Sequence, residues 1–315
     1  MLDFLKPYAR AFKFHRLLKQ AERIAGQAPA SGEPKLPNMA FVVACGRSGT
    51  TVLGKVMAVH PSVCYLFEPY HLWAAAEPVT DALNLYHEID PKLLLDAPDC
   101  TDSARIRFTR QIDYHWRQRK TPLVIEKTPL NAMRIGYLDA LAPGAIILHI
   151  LRDGVDVAQS IAKIASHSGY KMAGKATLNQ WWGIGGIKWR TLARDGAAAG
   201  YFPDEVGELK TEQAKGAYEW LVSLGEVDRK REMLGNLLYE IDYAGLTKDP
   251  KGGLTGICKR LGIDAPNDWL DEAAGMFRPA RGHGQDEIIL PGKMCKAFNE
   301  YQERFGYSKR ATASD

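Results

Sequence analysis

The chain has 315 residues, of which 46% are hydrophobic and 25% charged, and its formal net charge is +4. This composition is typical of a globular protein and excludes a disordered chain, while so mild a positive charge favours anionic ligands without indicating nucleic-acid binding. The five cysteines form no C-x-x-C pair, which argues against a disulfide framework or a zinc site and favours reduced thiols in a cytoplasm. No apolar run reaches the roughly 20 residues that span a membrane, and no signal-peptide core follows the first basic residues.

The N-terminal segment has the pattern of a basic amphipathic helix. Within residues 2–25, Lys or Arg recurs every three or four positions from Lys6 to Arg23, while apolar residues such as Leu18 occupy another face. This helix could lie on an anionic membrane surface, near a lipid-linked substrate, or it could dock on the main domain with its basic side in water, which we favour. A linker rich in Pro, Gly and Ala follows, so we expect two parts, residues 1–38 and a main domain of residues 39–315.

The main domain opens with a strand, a small-residue loop and a helix. Residues 41–44 (FVVA) predict a buried strand, and residues 45–51 (CGRSGTT) predict a loop. A helix follows in which Val52, Val56 and Val59 share one face. Glycines let the loop bring its backbone N–H groups close to an anion, and the first turn of a helix adds unpaired donors and a partial positive charge. This order predicts a phosphate or sulfate site.

The loop differs from the common nucleotide-triphosphate loop G-x-x-x-x-G-K-[ST]. Only two residues separate Gly46 from Gly49, and Thr50 stands where the lysine would follow. The fixed cation is Arg47, whose planar guanidinium can bind an oxyanion without the help of a metal ion. The alternative is a tight strand-to-helix turn that carries a surface arginine.

Three further strands each end in a polar turn that leads towards a helix. They are predicted at residues 62–67, 123–125 and 145–151. Repeated strand, turn and helix units predict an α/β fold with three layers (α/β/α) and a mostly parallel central sheet. Ligands of such sheets lie beyond the carboxyl ends of the strands. We therefore expect four side chains of these turns to converge on one crevice: Arg47, Glu68, Lys127 and Arg152.

The remaining chain reads mainly as helix. Residues 70–120 are mixed and largely helical, with five arginines that either cradle an anionic acceptor or face solvent: Arg105, Arg107, Arg110, Arg117 and Arg119. Residues 177–193 predict a helix whose three tryptophans pack in the core, and residues 212–234 predict another. A strand at residues 237–241 precedes Tyr243.

Two of these segments resemble the sulfotransferase family. Residues 47–51 after a strand resemble the family's 5′-phosphosulfate loop, and residues 151–160 (LRDGVDVAQS) resemble its 3′-phosphate segment. The resemblance is to the broad bacterial branch that is also similar to tyrosylprotein sulfotransferases, and it covers nearly all of the chain after residue 39. It implies a P-loop-kinase-like fold, 3′-phosphoadenosine 5′-phosphosulfate (PAPS) as the sulfuryl donor, and no metal ion.

The resemblance also implies which residues bind the donor. The C-terminal segment around Arg281 is the loosest match, and the serine expected there near the reacting group is not evident. The implied nucleotide-binding residues are Arg47, Ser48, Gly49, Thr50, Thr51, Arg152, Ser160, Tyr243, Arg281 and Gly282.

The implied catalytic residues are Glu68, Lys127 and Arg47. Glu68 matches the carboxylate that takes the acceptor proton in the tyrosylprotein branch, whereas the cytosolic branch generally uses histidine. Lys127 matches the lysine that neutralises the leaving oxygen, and Arg47 would lie against the sulfonate-bearing end of the donor. His71 is the alternative base, because histidine titrates nearer to neutral pH.

We therefore expect a cytoplasmic sulfotransferase that acts on a hydroxyl of a small molecule, lipid or glycan and has no nucleic-acid partner. Contact with the inner membrane surface through residues 2–25 stays open, as do the acceptor and the oligomeric state. An ATP-dependent small-molecule kinase on the same fold is the first alternative. The absent loop lysine and the lack of a magnesium-binding carboxylate after a strand disfavour it. The second alternative is a catalytically silent nucleotide-binding scaffold.

Overall fold

The computed structural model of the protein describes residues 2–27, 32–167, 169–278 and 286–314. Its strands are β1 (Asn38–Val43), β2 (Val63–Phe67), β3 (Leu123–Lys127), β4 (Ile146–Leu151), β5 (Leu178–Asn179), β6 (Gly183–Ile184), β7 (Leu238–Asp242), β8 (Ile288–Leu290) and β9 (Ala311–Ala313). Its α-helices are α1 (Leu2–Gly26), α2 (Thr50–Ala58), α3 (Tyr70–Ala76), α4 (Asp102–Arg119), α5 (Ile135–Leu141), α6 (Gly154–Ala165), α7 (Ile187–Ala198), α8 (Glu212–Arg229), α9 (Arg231–Leu234), α10 (Tyr243–Lys248), α11 (Pro250–Leu261), α12 (Asn267–Gly275) and α13 (Gly292–Arg304).

The central sheet has five parallel strands in the order β2-β3-β1-β4-β7. Side chains of β1 alternate between its two faces, as the period of a strand requires. Phe41 and Val43 pack in a cluster with residues of α1, α3 and α4, whereas Ala40 and Val42 pack with residues of α2, α11 and α12. Helices therefore cover both faces, and the predicted three-layer α/β/α fold is confirmed.

The carboxyl ends of the central strands are tied together just beyond the sheet. The N–H of Ala44, after β1, donates to the carbonyl oxygen of Pro129, after β3, at 3.2 Å. The N–H of Glu68, after β2, donates to the carbonyl oxygen of Lys127 at 2.8 Å. The chain runs from β1 to β2 and β3 on one side and then crosses to β4 and β7 on the other. The loop after β1 thus lies where the strand order reverses, which is the usual ligand site of an open parallel sheet.

Helix α1 packs against the main domain. Leu18 and Ala21 are buried in the same cluster as Phe41, and Ile24 is buried as well. The C-terminal half of α1 is therefore part of the core, as expected for a docked helix. The predicted boundary at residue 39 lies one residue inside β1.

The helix predicted at residues 177–193 is wrong over residues 177–186 and right from Ile187 onwards. This segment forms the hairpin of β5 and β6, and α7 begins only at Ile187. Gly183, Gly185 and Gly186 all have positive φ, between 57° and 77°, which is the left-handed region that glycine adopts freely. Three such glycines prevent a helix from continuing through this segment.

The helical assignment of residues 70–120 is right only at its two ends. Between α3 and α4 the chain is irregular apart from two 3₁₀ turns. Arg134, which is 1% exposed, donates to the carbonyl oxygens of Thr80, Lys92 and Leu93 at 3.1 to 3.2 Å. A buried guanidinium from a distant part of the chain thus replaces the backbone hydrogen bonds of a helix. The parallel pair β8 and β9 was also not predicted.

Candidate active site

The loop after β1 has its backbone bent to expose its donors. Arg47 has φ 74° and Gly49 has φ 98°, so both lie in the left-handed region that is costly for residues with a side chain. Gly49 is the N-cap of α2 and offers no side-chain cap, and the first turn of α2 contains no acidic residue. Its first N–H groups, at Thr50 and Thr51, have no partner within the helix, and the helix dipole adds positive charge there. The structure forms the predicted order of strand, loop and helix, with backbone donors exposed at the start of α2.

The two glycines of the loop are each covered by an aromatic ring. A Cβ added to Gly46 would overlap the indole of Trp181, and one added to Gly49 would overlap the ring of Tyr243. Rings therefore flank the loop backbone on both sides. Neither position has room for a side chain.

Arg47 and Arg152 lie beside each other although 105 positions separate them. Nη1 of Arg152 donates to the backbone oxygen of Arg47 at 2.9 Å, and Nε of Arg47 donates to Oγ of Ser160 on α6 at 2.9 Å. Burial and the neighbouring Arg152 both lower the pKa of the Arg47 guanidinium. Two adjacent guanidinium groups repel each other, so an anion bound here would relieve that repulsion.

The guanidinium of Arg152 is only partly paired within the described residues. Its Nη2 pairs with Asp156 at 3.3 Å, and its guanidinium lies 5.2 Å from the centre of the Tyr243 ring. The Nε of Arg152, however, is buried and has no hydrogen-bond partner within the described residues. A buried unpaired donor next to an anion-binding loop fits a phosphate ligand.

Glu68 and Lys127 form an ion pair at the ends of β2 and β3, with 2.5 Å between Oε1 and Nζ. Glu68 has φ 39°, a second non-glycine residue in the left-handed region, and its side chain is 29% exposed. Lys127 is fully buried, and its ammonium lies 4.0 Å from the centre of the Phe67 ring. Burial lowers the pKa of Lys127, although the Glu68 carboxylate opposes this. The pair places a proton acceptor and a cation in direct contact.

Two cavities meet at the loop. The Tyr243 cavity, of about 310 Å³, is lined by Gly49, Lys55, Arg152, Tyr243 and Arg278 among others. The Trp181 cavity, of about 330 Å³, is lined by Glu68, Tyr70, Leu83, Leu130, Ile164 and Trp181 among others. Arg47, Thr50 and Thr51 line both. The loop is therefore the partition between the two cavities.

A buried charge pair that lines the Trp181 cavity was not predicted from the sequence. Nζ of Lys188 on α7 lies 2.7 Å from Oε1 of Glu219 on α8, and both residues are almost fully buried. The indole N–H of Trp181 donates to the other carboxylate oxygen of Glu219 at 2.8 Å. Trp182 is core, as expected of the tryptophans, whereas Trp181 faces the cavity. The three residues belong to three elements, and no local pattern joins them.

Several predicted positions lie elsewhere. His71 packs towards Tyr86, and burial, with a smaller effect of His115, lowers its pKa to about 4. It is not among the residues that line the Trp181 cavity, unlike Glu68. The arginines of α4 do not line that cavity either; Arg110, for example, donates to the carbonyl oxygen of Ala25 in α1. Arg281 and Gly282 lie outside the described residues.

Residues 2–27, 32–167, 169–278 and 286–314 contain no group of three or more His, Cys, Asp or Glu that could hold a metal ion. In the same ranges, every helix is too short or too polar to cross a membrane.

The fold and the loop define a class of protein. A parallel sheet whose central strand leads into a glycine loop and a helix N-terminus, with arginines beside it, is the P-loop-like α/β fold of group-transfer enzymes. The sulfotransferase family model matches residues 38–267. The chain belongs to the sulfotransferase family, as the resemblance of its two motifs predicted.

Solved structures agree on the fold. The chain is similar to the sulfotransferase domain of the olefin synthase of Synechococcus PCC 7002, with 19% identity, 90% of this chain and 98% of that domain covered, and a TM-score of 0.51. It is also similar to the sulfotransferase STF1 of Mycobacterium tuberculosis, with 14% identity, 83% and 75% coverage, and a TM-score of 0.51. A search of curated proteins found no match.

Proposed function

We propose that the protein is a cytoplasmic sulfotransferase that moves a sulfuryl group from PAPS to an acceptor hydroxyl, with Glu68 as the general base. One observation carries the proposal. The Glu68 carboxylate, held by Lys127 at 2.5 Å, borders the Trp181 cavity, and Arg47 joins that cavity to the Tyr243 cavity. A proton acceptor thus faces the place where a donor on one side and an acceptor on the other would meet.

The Tyr243 cavity has the groups that a bisphosphorylated nucleotide needs. The first turn of α2 supplies backbone donors for the 5′-phosphate, and the unpaired Nε of Arg152 supplies one for the 3′-phosphate. Ser160 holds Arg47 in position in this structure. When bound, PAPS supplies an activated sulfuryl group, and the protein has only to position it and to balance charge.

Glu68 and Lys127 can act in sequence. Glu68 accepts the proton of the acceptor hydroxyl, whose acidity rises as its oxygen is sulfated. Lys127 lines neither cavity here, because it lies buried behind Glu68. Protonation of the carboxylate weakens the ion pair, and the Lys127 ammonium then becomes available to the oxygen that gains negative charge. Proton uptake at Glu68 would in this way be coupled to charge stabilisation by Lys127.

The Trp181 cavity suits a small or amphiphilic acceptor. Leu83, Leu130 and Ile164 line it together with the rings of Tyr70 and Trp181, and its volume is at the lower end of ordinary ligand pockets. The same cavity would take the hydroxyl-bearing end of a lipid or a glycan.

Nucleotide preference tests the donor. We expect adenosine 3′,5′-bisphosphate to raise the melting temperature, because it binds only the folded state, and ATP with magnesium to have a smaller effect. Arg152→Gln should weaken binding of the bisphosphate about 30-fold, since hydrogen bonds to a charged group contribute roughly 1.5 to 3 kcal/mol. Arg194→Gln, which removes an exposed arginine on α7, is the matched control and should leave binding unchanged. A larger shift with ATP and magnesium would favour a kinase.

Turnover tests the base. With hydroxyl acceptors and PAPS, Glu68→Gln should lower kcat by two to four orders of magnitude while the shift with the bisphosphate persists. His71→Gln should keep near-normal turnover. Equal losses in the two variants would remove Glu68 as the base. Bisphosphate binding without turnover across a broad acceptor panel would favour a silent scaffold.

A further inference from the structure

The excess positive charge of the chain is concentrated in one helix. Residues 2–26 contain six Lys and Arg against two Asp and Glu, a net charge of +4. The whole chain has 41 basic and 37 acidic residues, also a net charge of +4. The rest of the molecule is therefore neutral in sum, so the net positive charge of the chain equals that of α1.

The exposed face of α1 combines this charge with two aromatic rings. Tyr8, Phe12, Arg16, Lys19 and Arg23 follow one another at helical spacing and lie on one face, which we call the outer stripe. Phe12 is 67% exposed and Tyr8 57%, and the three basic residues are exposed as well. Lys19 pairs with Glu22 on the next turn at 3.1 Å. Exposed aromatics at one end and cations along the same face are the composition of a helix that lies in a membrane interface.

The opposite face of α1 packs against the domain, so the outer stripe faces away from the domain. Leu18 and Ala21 are buried in the core, and Phe14 packs edge-on to Tyr86 with ring centres 5.5 Å apart. Arg10 donates to the carbonyl oxygen of Lys171 at 3.2 Å and lies over the ring of Tyr170. The helix is thus held in place by the folded domain. No helix has to form on binding, so the ordering cost of a disordered anchor does not arise.

The neighbouring helix has charge of the same sign. Helix α4 packs on α1 and contains five arginines against two aspartates, with Ile106 and Tyr114 exposed. Its arginines do not line the Trp181 cavity, so the acceptor site does not account for them. Positive charge on α4 strengthens the attraction of this side of the molecule to an anionic surface.

We propose that the outer stripe of α1 docks the protein on the surface of an anionic phospholipid bilayer. Tyr8 and Phe12 enter the boundary between headgroups and acyl chains, while Arg16, Lys19 and Arg23 pair with lipid phosphates. This docking goes beyond sulfuryl transfer and does not depend on it. The segment that α1 holds at Tyr170 pairs with Leu178 in β5, and the hairpin that follows leads to Trp181. Because Arg10 contacts this segment from the face opposite the outer stripe, the hairpin would lie on the side of α1 that faces away from the bilayer.

Vesicle co-sedimentation with the full chain tests the proposal. We expect binding to vesicles of phosphatidylglycerol and phosphatidylcholine in equal parts, little binding to pure phosphatidylcholine, and release at 0.5 M salt. Each basic residue near an anionic surface contributes about a fivefold factor, so Arg16→Gln/Lys19→Gln/Arg23→Gln should weaken binding about a hundredfold. Tyr8→Ser/Phe12→Ser should also weaken vesicle binding, and its affinity relative to the unchanged chain should not depend on the salt concentration. Because all five side chains are exposed, the melting temperature should not change.

A matched variant separates position from total charge. Lys248→Gln/Lys259→Gln/Lys296→Gln removes the same charge from exposed positions on α10, α11 and α13, and we expect it to bind anionic vesicles like the unchanged chain. Equal weakening by both triple variants would overturn the proposal. So would equal binding to neutral and anionic vesicles, no binding to either, or tighter binding to duplex DNA than to anionic vesicles. The bisphosphate shift in the same variants reports on the nucleotide site separately.

Discussion

The two cavities beside the loop are built in different ways. The Tyr243 cavity uses backbone donors of one short segment, assisted by single residues at the ends of β4 and β7. The Trp181 cavity is formed by side chains from many elements and contains a buried ion pair, Lys188 with Glu219. An anion site made of backbone needs glycine and a helix start at fixed positions, whereas a shape-defined cavity can be made from almost any residues that fit together. Only the first kind leaves a local pattern in the sequence.

The largest effect is expected at the Glu68–Lys127 ion pair, which the ligands of both cavities would approach. Lys127→Met should lower kcat about a thousandfold, because loss of one charge-stabilising donor typically costs two to three orders of magnitude. The melting temperature should stay close to that of the unchanged chain, since Glu68 is 29% exposed and can be hydrated. Lys293→Met, at an exposed position, is the control. A loss below tenfold would remove Lys127 from the reaction.

The wall of the Trp181 cavity depends on a buried carboxyl group, and this predicts a pH effect on stability. Glu126 accepts hydrogen bonds from Trp73 Nε1 at 2.9 Å, from Asn131 Nδ2 at 3.3 Å and from Thr128. These partners hold the turn that supplies Leu130 to the cavity. Burial raises the pKa of Glu126 to about 7, although the hydrogen bonds oppose the rise.

Between the ordinary pKa of 4.5 and about 7, the folded state keeps a proton that the unfolded chain has released. The free energy of unfolding should therefore fall as pH rises through this window, by about 3 kcal/mol. Glu126→Gln has an oxygen that can still accept from Trp73 and Thr128 and has no titrating group, so it should flatten the fall between pH 5 and pH 8. Urea unfolding at several pH values measures this, and Glu300→Gln on the surface is the control. Parallel curves for the two variants would contradict the prediction.

The smallest expected effect compares the two glycines of the loop. Gly46→Ala and Gly49→Ala should each lower the free energy of unfolding by about 2 kcal/mol, because each added methyl overlaps a ring. Only Gly49 has positive φ, so its variant also carries backbone strain. Trp181→Phe should restore most of the loss in the first variant, whereas Tyr243→Leu should restore only part in the second. Double-mutant cycles measure both, and equal recovery would show that backbone strain at Gly49 is unimportant.

Much of the fold was predictable because its signals are local. Buried strands such as residues 145–151 combine β-branched runs with polar ends, and their repetition with helices leaves few topologies. The predictions failed where distant groups decide the conformation. Arg134 replaces the helical hydrogen bonds of the segment after α3, and clustered left-handed glycines delay the start of the helix predicted at residues 177–193 to Ile187.

The candidate site likewise has a part that the sequence predicts and a part that depends on distant packing. The turns after parallel strands must share one edge of the sheet, so the meeting of Arg47 with Arg152, and of Glu68 with Lys127, followed from topology. Trp181, Lys188 and Glu219 come together only through the packing of α7 and α8 around the hairpin. The residue types alone do not indicate that these three side chains lie together, because buried ion pairs and tryptophans are common in cores.

Because the loop separates the two cavities, residues that line one cavity can change in evolution without altering the other. Substitutions at Leu83 or Ile164 alter the Trp181 cavity without touching any residue that lines the Tyr243 cavity. If the Tyr243 cavity binds the donor and the Trp181 cavity binds the acceptor, as proposed, acceptor preference can change in evolution while donor recognition is kept. Among the described residues, Arg47, Thr50 and Thr51 border both cavities, so a substitution at any of them would affect the two together.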